Sequence, residues 1–194
     1  MATPLLVDTN ADFTYEYAYA GDLRGNLWKF DLTDTNPANW SIALSGSPLY
    51  TALAPTGSPQ AITTKPAIIS HPNGGYMILI GSGRFFVSGD DIVASPAVVD
   101  AFDGIRDSGV AVASVGARVL PGAGTQPSAI LQAQEIIEED HDLFGALDQF
   151  TRTLSQNNVD YTTQKGWYLD LVSPVDGAIG ERVIADPIVE ITEG

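Results

Sequence analysis

The chain has no cysteine, only two histidines, and only nine lysines and arginines against twenty-four aspartates and glutamates. The missing thiols exclude a disulfide staple and a thiolate metal site. They leave the compartment open, because many exported bacterial proteins lack cysteine. His71 and His141 are too few for a three-histidine metal centre. The shortage of cations leaves a formal net charge of −15. Such a surface repels phosphate backbones and anionic headgroups, which argues against nucleic acid and against adsorption to a membrane. No apolar run is long enough to span a bilayer, and the first residues do not read as a charged-then-apolar leader.

Catalytic signatures are also missing. No Gly-x-Ser-x-Gly elbow accompanies the histidines. Ser82-Gly83-Arg84 lacks the Lys-Ser/Thr ending and the helix of a phosphate cradle. Paired carboxylates are everywhere in so acidic a chain, so no one pair marks general acid–base chemistry. No Arg-Gly-Asp triplet is present. These absences point away from an enzyme.

Oxygen donors at alternate positions are what the chain does have. Asp8, Asn10 and Asp12 stand first, third and fifth in one loop, followed by Thr14 and Glu16. Calcium is a hard cation that takes six to eight oxygens, and one short loop can supply several. Thr14 would contribute a backbone carbonyl. The helix-loop-helix calcium motif shares this early spacing but has Gly at its sixth position and Glu at its twelfth. Here the sixth residue is Phe13, and a strand pattern follows. Spacing alone admits two readings, a cation loop and an Asx-rich turn whose side chains bond their own backbone.

Behind the loop, Tyr17, Tyr19 and Gly21 alternate as in a half-buried strand, Leu23 to Asn26 supplies a turn, and Leu27 to Leu32 makes a second strand. Nineteen glycines and twelve prolines break the rest into short segments. The pattern predicts strands at Trp40–Leu44, Leu49–Leu53, Pro66–Ser70, Tyr76–Gly81, Arg84–Val87, Val98–Ile105, Gly109–Val119 and Lys165–Leu171. Asn73-Gly74 between apolar runs is a strong hairpin signal, and a Gly/Pro loop fills Pro121–Pro127. A last pair of short strands is expected within Glu181–Val189. Residues 130–150 fit a helical face in part. The charged run Glu135, Glu138, Glu139, Asp140 and Asp142 suits a solvated hairpin tip. The tryptophans Trp28, Trp40 and Trp167 invite a sugar-stacking role, but their place inside alternating strands favours core packing. Short strands between frequent turns indicate an all-β assembly.

The string Tyr19 to Leu32, YAGDLRGNLWKFDL, resembles the signature of the C-terminal β-propeller of the PilC/PilY family of type IV pilus proteins. Pro48–Ala52, Ala61–Pro66 and Gly81–Phe86 look like the following family segments in order. Ala101–Asp107 resembles a segment usually written YGIWD, with Asp103 and Arg106 departing from its Tyr and Trp. Arg152–Leu171, with Gly-Trp-Tyr-Leu-Asp-Leu at its end, and Gly180–Ile184 complete a match over nearly the whole chain.

The resemblance implies antiparallel blades of a partial β-propeller in one domain over residues 1–194, a fragment of a longer protein. It resolves residues 130–150 into a strand near Leu131–Glu138, a hairpin at Asp140–Gly145 and a strand through Phe150–Leu154. It places an Asp/Asn-rich calcium loop ahead of the signature, so that Asp8, Asn10, Asp12 and Glu16 bind Ca2+ by side chain and Thr14 by backbone. It implies a calcium-regulated factor that promotes pilus extension, opposes retraction and acts as an adhesin at the bacterial surface. Its expected partners are pilin or minor pilins and a host-cell or surface ligand. An incomplete propeller would leave open sheet edges, through which two copies could pair. Rival readings are a quinoprotein-like propeller enzyme, whose hairpins also set aromatics before Asp, and a structural propeller fragment without a ligand.

Overall fold

In the computed structural model the described residues form three sheets. Residues 1–115, 130–144 and 147–190 are described, with backbone alone for 141–144 and 147–150. The first sheet runs β1 (Leu5–Val7), β2 (Tyr17–Gly21), β3 (Asn26–Asp31) and β4 (Ser41–Ile42), with β5 (Tyr50–Thr51) also on β3. The second contains β6 (Ala67–Ser70), β7 (Tyr76–Gly81), β8 (Ala101–Asp107), β9 (Gln132–Gln134) and β12 (Gly166–Asp170), in the spatial order β6-β7-β8-β12-β9. The remaining pair is β10 (Ile136–Phe144) with β11 (Leu147–Leu154). All pairings among these strands are antiparallel except β9 with β12. The all-β expectation holds, and so do both principal hairpins.

Alternation sets the faces. On β3, Leu27 is fully buried, whereas Trp28 on the opposite face is half-buried. Tyr19, Leu27, Leu49 and Ile62 share one apolar cluster with Ile78, Ile105 and Tyr168 of the second sheet and with Leu131, which precedes β9. A polar junction crosses the same interface. Tyr19 Oη donates to Asp107 Oδ2 at 2.6 Å, and Lys29 Nζ lies 2.7 Å from the same oxygen. Lys29 also sits 4.0 Å from the Tyr17 ring centroid, a cation–π contact on a nearly buried ammonium. Burial, then the hydrogen bond to Asp107, raises the Tyr19 phenol above its usual range.

Several expected strands are replaced, each for a local reason. The Asp90 carboxylate accepts the N–H groups of Phe86 and Val87 at 3.0 Å each, so Arg84–Val87 bends into the turn that follows instead of joining a ladder. Trp40–Leu44 contributes only β4, because Leu44 and Ser45 take positive φ and turn the chain. Trp40 is 48% exposed and is not a core residue. Residues 109–115 are not a strand, and Val112 N–H instead donates to Leu49 O at 2.6 Å. The rest of that expectation, with the 121–127 loop, lies outside the described residues.

Glu181–Val189 runs without strands, held at points such as Val183 N–H to Ser82 O at 2.8 Å and Asp186 Oδ1 to Lys65 N–H at 2.8 Å. The run from Glu138 to Asp140 is part of a ladder, not a hairpin tip. Glu139 pairs in register with Arg152 and meets its Nε at 2.6 Å.

Candidate metal centre

The donor loop is the connection of a hairpin whose first strand has only three residues. Pro4 precedes the apolar run Leu5-Leu6-Val7, and Val7 pairs with Tyr17. Glu16 N–H closes the neck on Val7 O at 3.0 Å, and Leu32 N–H donates to Glu16 O at 2.9 Å. Glu16 is thereby fixed to both β1 and the end of β3, which gives the loop a rigid base.

Within the loop, Asp8, Asp12 and Glu16 each bring a carboxylate oxygen to within 4.8 Å of the others. Two oxygens bound to one calcium ion at about 2.4 Å lie at most about 4.8 Å apart, so this spacing fits a common cation. Backbone N–H groups hold the carboxylates in place. Asp8 accepts Ala11 N–H at 2.7 Å and Phe13 N–H at 2.9 Å, and Glu16 Oε2 accepts Thr9 N–H at 2.6 Å. Asn10 stands in the same ring, its Oδ1 accepting Asp12 N–H at 2.9 Å and its amide donating to Asp12 Oδ2 at 3.1 Å. Thr14 meets the cluster through its hydroxyl, which donates to Asp12 Oδ1 at 2.6 Å. The Thr14 hydroxyl and N–H, with the Asn10 amide, hold the Asp12 carboxyl below its usual range.

The Asx bonding and the cation geometry coexist, because a carboxylate oxygen that accepts one N–H keeps a second lone pair. Three carboxylates at such separations repel one another unless a cation sits among them. Phe13, the sixth residue, adopts φ of 69° and is 95% exposed. This is the left-handed backbone for which a calcium loop of this spacing uses Gly. A side chain there costs about 1 kcal/mol. That strain is present in the ion-free fold. Phe13→Gly is therefore expected to raise the unfolding free energy in chelator by up to about 1 kcal/mol and to leave the calcium affinity and stoichiometry nearly unchanged.

The signature after the loop has a physical account residue by residue. Gly21 lies so close to Ile62 that a Cβ would fall 2.2 Å from its Cγ2. Asp22 holds the turn, accepting Arg24 and Asn26 N–H on Oδ1 at 2.8 and 3.0 Å. Its Oδ2 accepts the Asn26 amide and Trp28 Nε1, both at 2.9 Å. Gly25 takes φ of +79°, and a Cβ there would lie 2.5 Å from Ala52 O. In the later motif, Gly104 of β8 leaves room for the Trp167 indole of β12, which an added Cβ would meet at 2.5 Å.

A family model described as the PilY1 beta-propeller domain matches residues 1–149. The chain belongs to the PilY1 β-propeller family. The type IV pilus biogenesis factor PilY1 of Pseudomonas aeruginosa is 33% identical over 97% of this chain and 18% of that protein. A PilY1 homologue of Xylella fastidiosa is 34% identical over 95% of this chain and 12% of that protein. The chain thus spans less than a fifth of each of these relatives. The crystal structure of the Pseudomonas aeruginosa PilY1 C-terminal domain matches with a TM-score of 0.78 at 31% identity. That match covers 95% of this chain and 41% of the other. The sheets described above, antiparallel but for the β9–β12 pairing, are therefore sheets of a PilY1-type propeller.

All five expected ligand residues lie in the β1–β2 loop, and three of their carboxylates converge. Strand β1 was missing from the sequence reading, although the Leu5-Leu6-Val7 run was its signal. A neighbouring cleft formed by Tyr15, Asp34 and Trp40 was also missed, because Trp40 was assigned to a strand interior.

Proposed function

We propose that residues 8–16 bind one calcium ion and that the domain is a calcium-regulated part of a type IV pilus biogenesis and adhesion factor at the bacterial surface. The observation that carries this reading is the convergence of Asp8, Asp12 and Glu16. Asn10 Oδ1, the Thr14 carbonyl and water would complete an oxygen shell. The ion would lock the β1–β2 connection to β3 through Glu16, whose backbone is already bonded to both. Pilin or minor pilins are the proposed partners within the pilus, with a host-cell or surface ligand for adhesion. The similarity to named pilus biogenesis factors supports this assignment. Strand β6 pairs only with β7 among the described residues, and its outer edge offers a route to a homodimer.

The test is thermal unfolding with and without calcium. At one hundred times Kd, mass action adds about 2.7 kcal/mol, which for a chain of this size raises Tm by about 5–10 °C. Asp12→Ala and Asp8→Ala should each abolish that rise, read against each variant's own unfolding in chelator because both carboxylates also accept loop N–H groups. A calcium response that survives both substitutions would place the ion elsewhere.

A further inference from the structure

We propose that the cleft between the 8–16 loop and the 33–40 turn receives the cationic side chain of a lysine or arginine presented by a partner protein. The cleft has a volume of about 600 Å³ and is walled by Leu6, Tyr15, Leu32 and Trp40, with Glu16 and Asp34 also in its lining. Tyr15 and Trp40 are 51% and 48% exposed, so about half of each aromatic side chain is open to a partner.

The turn that carries Trp40 is firmly built. Trp40 Nε1 donates to Asp34 O at 2.9 Å, so the polar edge of the indole is satisfied internally. The Asp34 carboxylate accepts Asn36 N–H and the Asn39 amide at 2.8 Å each. Those two bonds, the Asn36 N–H foremost, hold its carboxyl below the usual range and keep it charged. The aromatic surface is therefore held in place before any partner arrives, which limits the ordering cost of binding.

Charge and wall chemistry select the occupant. Among the described residues no lysine or arginine lines the cleft, and the whole chain carries a formal charge of −15. An aromatic face attracts an ammonium or guanidinium within about 6 Å of its centroid. Carboxylates at the lining supply the counter-charge, and the aliphatic stem of Lys or Arg packs on apolar walls such as Leu6 and Leu32. The Thr14 and Thr33 hydroxyls donate to Asp12 and Asp31, at 2.6 Å each. An amphipathic cation matches both the apolar walls and the acidic lining.

Glu16 is shared with the calcium reading, so the test is run both in chelator and at saturating calcium. Peptide binding that disappears with calcium would place the peptide on the 8–16 carboxylates and overturn the proposal. The probe is an acetylated, amidated penta-lysine peptide, followed by fluorescence and by amide shifts of residues 14–16 and 33–40. Trp40→Ala and Tyr15→Ala leave net charge unchanged and should each weaken binding about fivefold. Trp40→Phe retains a π face and should keep most of the affinity. Asp176→Asn removes a charge outside the cleft and should change affinity less than about twofold. The same peptide with every lysine Nε-acetylated should not bind. Unchanged affinity in both alanine variants, equal loss in Trp40→Phe and Trp40→Ala, or equal binding of the acetylated peptide would each overturn the proposal.

Discussion

Asp107→Ala is expected to lower the unfolding free energy by about 3–5 kcal/mol, the loss typical when one partner of a buried ion pair is removed. The Lys29 and Asp107 side chains are 12% and 2% exposed. Removing the carboxylate strands the Lys29 ammonium and the Tyr19 hydroxyl between the two main sheets. On a chain of this size the corresponding fall in Tm is about 10 °C. A double variant, Lys29→Met with Asp107→Leu, should recover part of the loss, because it removes the stranded ammonium while the Tyr19 hydroxyl still lacks its acceptor.

The junction also makes a pH prediction. Burial opposes the Asp107 charge, but Lys29, Tyr19 and the Gly109 N–H outweigh it and hold the carboxyl below its usual range. A depressed folded-state pKa means that this contribution is fully present above about pH 4, the range where an unfolded Asp titrates. It is lost as pH falls through the folded value. Denaturant unfolding of the wild type should therefore weaken steeply below about pH 4, and Asp107→Ala should show a shallower slope there.

Gly166→Ala is the second large effect. Gly166 opens β12 opposite Ile105, with φ of +143° and the Gly104 carbonyl oxygen 1.9 Å from where a Cβ would stand. The dihedral alone costs about 1–3 kcal/mol, and the clash is with backbone that other strands hold on both sides. A loss of at least about 3 kcal/mol is expected in denaturant unfolding. Gly104→Ala should cost less, because the atoms its Cβ would meet belong to the Trp167 side chain, which can shift.

The hairpins were legible because their signals are local. Asp22, Gly25 and Trp28 all act within one hairpin, and the Asn73-Gly74 connection lies between two apolar runs. The donor loop was legible for the same reason, since its five oxygen-bearing residues fall at alternate positions. What the sequence concealed depends on competition between partners. Phe85-Phe86-Val87 has strand composition, yet the carboxylate of Asp90 takes two of its N–H groups and leaves both phenylalanines mostly exposed. Glu139 looked like one more solvated acid until Arg152 from the neighbouring strand reached it. The Lys29–Asp107 junction joins residues 78 positions apart, with no local pattern to announce it. The parallel pairing of β9 with β12 is likewise a tertiary choice.

Calorimetric titration of the chelator-stripped wild-type chain with calcium tests the central claim most directly. One ion per chain is expected to bind, with the heat lost in Asp12→Ala. Absence of a saturable heat in the wild type, or an isotherm unchanged by Asp12→Ala, would contradict a calcium site built from Asp8, Asp12 and Glu16.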